Sequence, residues 1–227
     1  MLTKVLSLLA LWGLTGLNAV ALAQEAGSVL RAKGEVVAVH ADGSSEPLKK
    51  KSVVKVGDVI KTGASGQALI RMKDNSRLII RKKSEVKIDA FEYKKASTDK
   101  VETSLISGAL RAVSGKIAKK NAASVKYSAG TATIGIRGTD IDIAIVGDGQ
   151  TDRPGIYNYV RDGATQMALA TGELADIEKE KAGFSPRDRK PGEPALQVLD
   201  SRPAFIQGTG FDTLIQQLAN PRLPSFR

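Results

Sequence analysis

The chain has 227 residues, a formal net charge of +10 and no cysteine. Without cysteine there are no disulfides and no thiolate metal sites, so the stability of the fold must come from a hydrophobic core. The charge is uneven, because residues 31–126 carry 22 Lys and Arg against 10 Asp and Glu, whereas residues 127–227 carry 11 against 13. An acidic partner is therefore expected on the first half of the chain.

The first 23 residues have the pattern of a cleavable secretory signal. Lys4 gives a short positive region, residues 5–17 are apolar, and Ala21-Leu22-Ala23 stands before Gln24 as a small-x-small cleavage site. A transmembrane anchor is the alternative, but polar and small residues interrupt the apolar run and no basic stop-transfer cluster follows it. We therefore expect cleavage after Ala23, a periplasmic or otherwise secreted protein, and no transmembrane segment after cleavage.

From Gly34 onward, short segments rich in β-branched residues are separated by turn signals such as Asp42-Gly43 and Asp74-Asn75. This regular spacing is typical of all-β sandwiches and barrels. Apolar and polar positions alternate through residues 68–90, which predicts a three-stranded meander with a basic outward face. We predict an all-β fold, sandwich-like or jelly-roll-like, with a short C-terminal helix.

The predicted organisation has four parts: a signal peptide at 1–23, a β domain at 24–176, a charged, proline-containing loop or linker at 177–208, and a C-terminal helix and tail at 209–227. Within the β domain, residues 114–121 read as a basic loop, and residues 155–170 as a hairpin that turns at Arg161-Asp162-Gly163. In the last part Thr209 is the predicted cap of a helix ending at Asn220-Pro221, with an apolar face made of Phe211, Leu214, Ile215 and Leu218.

The most informative stretch is residues 129–146, because its apolar positions change parity. Isoleucines occupy even positions before Arg137-Gly138-Thr139 and odd positions after it. A strand has a side-chain period of two, so the tripeptide must hold a bulge, corner or break. We predict that Gly138 permits this irregularity and that Arg137 donates hydrogen bonds to the backbone carbonyls that it leaves unpaired.

Catalytic chemistry has little support in the sequence. His40, the chain's one histidine, is interpreted as a solvated loop residue, and two S-x-x-K matches fall in strand patterns that separate the serine from the lysine. Asp140 and Asp142 share a strand face and are interpreted as solvated, with metal-dependent hydrolysis as the alternative. Residues 147–155 offer two aspartates in a glycine-rich loop, a weak calcium pattern. We predict no catalytic residue, no cofactor and no metal site.

Basic residues in and around the predicted meander form the candidate surface for an anion or partner. An anionic glycan, a lipid surface or an acidic protein patch would suit it, whereas solubility alone is an equally good explanation. Nucleic acid is not expected in this compartment, and the stacking aromatics of a single-strand binder are not interleaved with these basic residues. The candidate residues are Arg71, Lys73, Arg77, Arg81, Lys82, Lys83 and Lys87.

Several motifs, in order, resemble the FecR domain, the extracytoplasmic module named after the ferric citrate regulator. They are residues 56–63 (VGDVIKTG), 67–70 with 74–78 (DNSRL), 84–88 (SEVKI), the segment 105–113 around Gly108 and Arg111, and above all 131–139 (TATIGIRGT). The resemblance spans about residues 34–176 and implies a β-rich domain without catalysis.

The resemblance also implies a role outside the cytoplasm. Family regulators of sigma factors carry a cytoplasmic segment and a transmembrane helix, and their periplasmic domain meets an outer-membrane transducer; here a signal peptide is expected instead, without a cytoplasmic anti-sigma part. We therefore expect a noncatalytic binding or scaffolding module of the cell envelope with an envelope protein as partner. The alternative is a binder of an anionic envelope polymer, a glycan or lipid surface, through a basic β face.

Overall fold

The structure, a computed structural model, describes residues 24–206, so the predicted signal peptide and C-terminal helix lie outside the described residues. The described chain is mostly β-strand, which confirms the all-β class. A short helix, α1 (Lys116–Lys120), follows the ninth strand, and single 3₁₀ turns span Ala122–Ser124 and Ala204–Ile206. The strands are β1 (Glu25–Lys33), β2 (Val36–Val39), β3 (Ser45–Pro47), β4 (Val53–Lys55), β5 (Val59–Thr62), β6 (Gln67–Met72), β7 (Arg77–Ile80), β8 (Glu85–Glu92), β9 (Lys100–Val113), β10 (Val125–Ala129), β11 (Ala132–Val146), β12 (Gly155–Leu169), β13 (Leu174–Ile177), β14 (Ala182–Pro186) and β15 (Gln197–Leu199).

These strands form one hydrogen-bonded sheet that folds around a core. The first layer has the order β3-β2-β5-β8-β9-β10-β11-β12-β13, and the second layer has the order β15-β14-β12-β11-β9-β7-β6-β1-β4. The long strands β9, β11 and β12 belong to both layers, because each pairs with one set of neighbours along one half and another set along the other half. The pairs are antiparallel except for β9 with β10.

The core lies between the two layers and collects alternate side chains from both. Ile60 and Ile88 enter from the first layer, and Ile70, Ile80 and Leu110 from the second, all fully buried in one cluster. Burial of an isoleucine or leucine side chain stabilises a fold by about 1.5–3 kcal/mol. The alternating pattern of residues 68–90 therefore identified Ile70, Ile80 and Ile88 as core positions, whereas Leu69 and Ile79, on its outward side, are buried as well.

The parity change in β11 is a bulge at the predicted tripeptide. The register between β11 and β12 shifts between Arg137 and Asp140, and Gly138 has a φ of 61°. Isoleucines at even positions face the core before the bulge, and those at odd positions face it afterwards. Gly138 therefore has the predicted role, since a left-handed φ is cheap for glycine alone.

Two local predictions about strand pairing are wrong. Residues 155–169 are the single strand β12 rather than a hairpin, because β12 stays paired with β11 on both sides of Gly163, whose φ of 79° marks a kink. The three strands of residues 68–90 are not one meander, since β8 leaves β7 and pairs with β5 and β9. The periodicity of apolar residues within a strand predicts which of its faces is buried, but it does not predict which strands pair with it.

Two segments assigned to loops also contain regular structure. Residues 177–208 hold β14 and β15 rather than a linker, and all five residues of β14 are buried where it pairs with β12. Charged residues lie on both sides of β14, so the average composition of the whole segment is typical of a loop and does not indicate the short strand within it. Residues 114–121, predicted as a basic loop, contain α1, whose Ile117 and Ala118 enter the core.

Candidate binding surface

The seven candidate basic residues do not share one face. Arg71 and Arg77 are register partners on the outer face of the second layer, and the exposed Lys82 and Lys83 lie in the turn between β7 and β8. Lys87 belongs to the first layer, where its Nζ lies 3.2 Å from Asp89 Oδ1. The predicted continuous surface is therefore wrong, because β7 and β8 diverge after the turn.

Two further members of the predicted set have partners within the chain. The Nζ atom of Lys73, in the turn after β6, lies 3.0 Å from Glu25 Oε2, and both side chains are about half exposed. Arg81, at the end of β7, is largely buried and donates from Nη2 to Asp142 Oδ1 at 3.0 Å. Arg81 is thus part of the internal structure of the protein rather than a free surface cation.

Asp140 and Asp142 lie on the outer face of the second layer and are each held by arginine. Arg111 donates to both oxygens of Asp140, at 2.7 Å from Nε and 2.5 Å from Nη2. Asp142 is fully buried and also accepts a hydrogen bond from Arg161 Nε. Together with Arg81, which also donates to Asp142, these four residues form what we call the arginine–aspartate network. The interpretation of Asp142 as a solvated side chain is wrong, because the pairing of β11 with its neighbours brings Arg81 and Arg161 to its buried carboxylate.

The tripeptide of the bulge is fixed by its threonine, not its arginine. The Thr139 amide donates to Ser114 Oγ at 2.8 Å, and the Ser114 amide donates to Thr139 O at 2.9 Å. The Arg137 side chain is 68% exposed, with Nη2 3.7 Å from Asp176 Oδ1. The prediction that Arg137 satisfies backbone carbonyls is therefore wrong, and Ser114 closes the irregularity instead.

Two aspartates from the motifs recognised in the sequence shape turns. Asp58 is buried, accepts the Lys55 amide at 2.7 Å, and lies 2.7 Å from His40 Nδ1. Asp74 accepts the Ser76 amide at 3.0 Å, and its backbone carbonyl accepts the Lys116 amide at 2.8 Å. His40 is therefore a half-buried partner of Asp58 rather than a solvated residue, because β2 and β5 pair and bring the two together.

The glycine-rich loop at 147–155 anchors other segments. The carboxylate of Asp148 lies 2.5 Å from Arg187 Nη2, and this ion pair holds the pKa of Asp148 below its usual value. Asp152 accepts the amides of Ala204 and Phe205 at 2.8 and 2.7 Å. Within residues 24–206 no group of three or more His, Asp or Glu residues is placed to hold a metal ion. The role of Asp152 could not be predicted from the sequence, because its partners are backbone amides.

Aromatic rings cover the far end of the second layer. The rings of Tyr157 and Phe184 stack with centroids 4.4 Å apart, and Phe205 lies 5.6 Å from Tyr157. Burial raises the pKa of Tyr157 to about 12, and its hydroxyl donates to Arg153 O at 2.8 Å. This aromatic cluster fixes residues 204–206 against the outer face.

A groove of about 530 Å³ lies between the β7–β8 turn and this aromatic cluster. Its polar side is the exposed turn of Lys82 and Lys83, and Phe205 contributes to its apolar side. Lys83 has a φ of 52°, so the turn holds a non-glycine residue in the left-handed region. The groove combines two exposed lysines with apolar walls, and Asp148, which pairs with Arg187, also lines it.

The fold and its surfaces define an all-β domain in which the buried Asp58 and Asp142 are paired with His40 and with arginines. The family model described as FecR protein matches residues 58–174, and the chain belongs to the FecR family. The matched residues include both Asp58 and the bulge of β11. The expected family resemblance is confirmed.

Comparison with solved structures gives partial matches with low sequence identity and low TM-scores. Two crystal structures named as a "putative anti-sigma factor" from Parabacteroides distasonis ATCC 8503 match with TM-scores of 0.47 and 0.48 and identities of 8% and 11%. The first match covers 63% of this chain and 59% of the neighbour, and the second covers 70% and 72%. A structure named "Cell surface anchoring domain" matches at 25% identity over 28% of this chain and 84% of its own, with a TM-score of 0.28. Among curated proteins none matches the chain. Residues 24–206 contain no helix long and apolar enough to cross a membrane.

Proposed function

We propose that the chain is an exported, noncatalytic binding or scaffolding module of the cell envelope that acts through contact with another envelope protein. Membership of the FecR family supports an extracytoplasmic regulatory or binding role. The signal pattern that ends at Ala23 supports export. Binding modules of this kind need a rigid scaffold with exposed loops and turns, which the two-layered sheet supplies.

The observation that carries the proposal is that the side chains capable of acid–base or metal chemistry are paired with other groups of the protein. Asp140 and Asp142 are neutralised by arginines, His40 lies on Asp58, and Asp152 accepts backbone amides. A general acid or base has to reach a substrate proton, and a metal site needs several ligands directed at one point. These groups contact one another instead, so their chemistry supports structure.

The test is cross-linking in intact cells that express the chain with an affinity tag, followed by purification and mass spectrometry. We expect a small set of envelope proteins, enriched over a matched exported β domain of another family. Recovery of no envelope protein above that control would overturn the proposal. Identical recovery by the chain and by the unrelated domain would do the same.

The groove favours one second candidate, binding of an anionic envelope polymer at Lys82 and Lys83. Both ammonium groups are exposed, and the described part of the chain gives them no acidic partner. We expect the mature chain to co-sediment with vesicles containing anionic lipid at low salt and to detach as salt is raised. Lys82→Glu with Lys83→Glu should abolish this, whereas Lys126→Glu, in the first layer, should weaken it only slightly. Binding that is insensitive to salt or to the double reversal excludes this candidate.

A further inference from the structure

The first layer ends in two strands that pair on one side only. At one end β3 pairs with β2, at the other end β13 pairs with β12, and neither has a second strand partner within residues 24–206. The open side of a terminal strand exposes backbone N–H and C=O groups and the side chains around them. Both ends are therefore candidate surfaces for contact with another molecule, and they carry opposite charges.

The end at β3 is basic. β3 and β4 follow one another in the chain and are the terminal strands of the first and the second layer, so residues 45–55 border both layers. This segment, which we call the basic edge, carries one glutamate, Glu46, against Lys49, Lys50, Lys51 and Lys55. The first three lysines are exposed, and none of the four forms an ion pair with the described part of the chain. Because Pro47 offers no N–H to a further strand, the basic edge is suited to contacts through charged side chains rather than to strand addition.

The end at β13 has backbone groups that point away from the sheet. The Leu169 amide donates to Glu173 O at 2.8 Å, and the antiparallel register with β12 continues from there along β13. In an antiparallel pair alternate residues bond to the neighbouring strand, so the N–H and C=O groups of Leu174 and Asp176 point to the open side. The Leu174 side chain is 59% exposed. β13 therefore presents polar backbone groups and an apolar side chain to the outside.

The segment that contains β13 is acidic, although the chain as a whole has a net charge of +10. Residues 173–180, which we call the acidic edge, carry four carboxylates and one lysine, Lys179, whose Nζ lies 3.1 Å from Asp162 Oδ1. The carboxylate of Asp176 lies 3.7 Å from Arg137 Nη2. The other three are exposed and form no ion pair within residues 24–206; they are Glu173, Glu178 and Glu180. This edge therefore attracts a cationic surface.

We propose that copies of this chain associate head to tail, with the basic edge of one molecule against the acidic edge of the next. The two edges terminate opposite ends of the strand order, so their charges complement each other between molecules and not within one. The exposed Leu174 packs against the aliphatic stems of the lysines in this contact. Because the two surfaces differ, each added copy leaves one basic and one acidic edge free for another. The inference goes beyond the proposed function and is independent of which envelope protein the domain binds.

Sedimentation equilibrium of the full mature chain tests the association directly. At low salt the weight-average mass should rise with protein concentration beyond the mass of two copies. It should return to the mass of one copy in about 1 M salt, where charges are screened beyond about 3 Å. A mass of one copy at every concentration would overturn the proposal. A dimer that does not grow would also overturn it, because such a dimer uses one surface twice rather than two different surfaces.

A charge exchange between the two edges identifies the surfaces. One variant of the full mature chain has two acidic ends, and a second variant has two basic ends. Each variant alone should keep the mass of one copy at low salt, because like charges meet, whereas an equimolar mixture should associate as the natural chain does. The first variant combines Lys49→Glu, Lys50→Glu and Lys51→Glu, and the second combines Glu173→Lys, Glu178→Lys and Glu180→Lys.

The matched control reverses three exposed lysines that lie away from both edges, in and after α1 and in β10. It should associate like the natural chain, although its net charge changes as much as that of the first variant. Association of either edge variant alone, or loss of association in the control, would overturn the proposal. A mixture that stays at the mass of one copy while both variants keep the natural Tm would do the same. The control combines Lys116→Glu, Lys119→Glu and Lys126→Glu.

Discussion

Asp142 is a buried carboxylate whose two arginines come from strands far apart in the sequence. Arg81 directly follows β7 and Arg161 lies in β12, so the three charges meet only when the second layer is assembled. Burying a single charge would be expensive, and pairing it offsets this cost without necessarily adding net stability. We infer that the network specifies which strands become neighbours. No local pattern in the sequence predicts this, since the residues are separated by 61 and 19 positions.

Asp142→Asn should therefore be strongly destabilising. The change leaves Arg81 and Arg161 facing a neutral group in a buried site, which typically costs about 3–5 kcal/mol in the free energy of unfolding. Urea denaturation followed by circular dichroism measures it. Asp162→Asn is the matched control, because Asp162 is 70% exposed in its pair with Lys179 and surface pairs contribute at most about 1 kcal/mol. Similar losses in the two variants would contradict a structural role for the network.

The hydrogen bonds of Glu193 lead us to expect that the stability of the fold depends on pH. Hydrogen bonds from Arg153, from the Lys190 amide and from Gln197 hold the pKa of Glu193 well below its usual value of 4.5. A folded-state pKa that is lowered gives stability that is present above the unfolded value and is lost as the pH falls toward the folded value. The Tm difference between the natural chain and Glu193→Gln should thus be largest above pH 4.5 and shrink in stronger acid. Glu178→Gln, at an exposed site, should show no such trend; a constant difference for Glu193→Gln would contradict the assignment.

At the scale of elements, three strands change layer within their own length. β11 does so at the bulge, β12 at the kink of Gly163, and β9 near Gly108, whose φ is 78°. The parity of the isoleucines predicted the first change, because one strand carries both halves of the pattern. The other two were missed: Gly163 reads equally well as a hairpin turn, and Gly108 interrupts no alternation strong enough to show a break.

Gly108→Ala and Gly138→Ala should differ in cost although both glycines have positive φ. A Cβ on Gly138 meets no atom within 4 Å, so only the strain of about 1–2 kcal/mol for a left-handed residue is expected. A Cβ on Gly108 would lie 2.3 Å from Ser84 Oγ and 2.5 Å from Lys83 O. Overpacking there should add about 1–3 kcal/mol. Chemical denaturation measures both, and equal losses would show that β9 does not approach the β7–β8 turn this closely.

At the scale of the whole molecule, the domain extends beyond the boundary that the sequence predicted at Asp176. β14 pairs with the first half of β12 and buries Phe184 against Tyr157. Composition placed this segment in a linker because charges surround it. The fold class, the buried faces and the central bulge were accessible from alternation and turn residues, whereas strand order and the arginine–aspartate network depend on long-range pairing.

A chain that ends at Asp176 should therefore not fold as the full chain does. Loss of β14 and β15 exposes Tyr157 and Tyr159 and leaves the edge of β12 open, which favours aggregation. We expect the truncated chain to elute as aggregates in size-exclusion chromatography and to lack a cooperative melting transition. The mature chain is the reference, and a truncated protein that stays monomeric with the same Tm would contradict one continuous domain.

The three strands shared by the layers have a consequence for a protein without cysteine. Small exported domains commonly fasten one sheet to another with disulfides, which an oxidising compartment preserves and a reductant removes. In this protein the two layers are joined by the peptide backbone itself at three places, because β9, β11 and β12 each pass from one layer into the other. The junction between the layers is therefore indifferent to redox conditions, and the layers cannot slide apart unless those three strands first lose their hydrogen bonds.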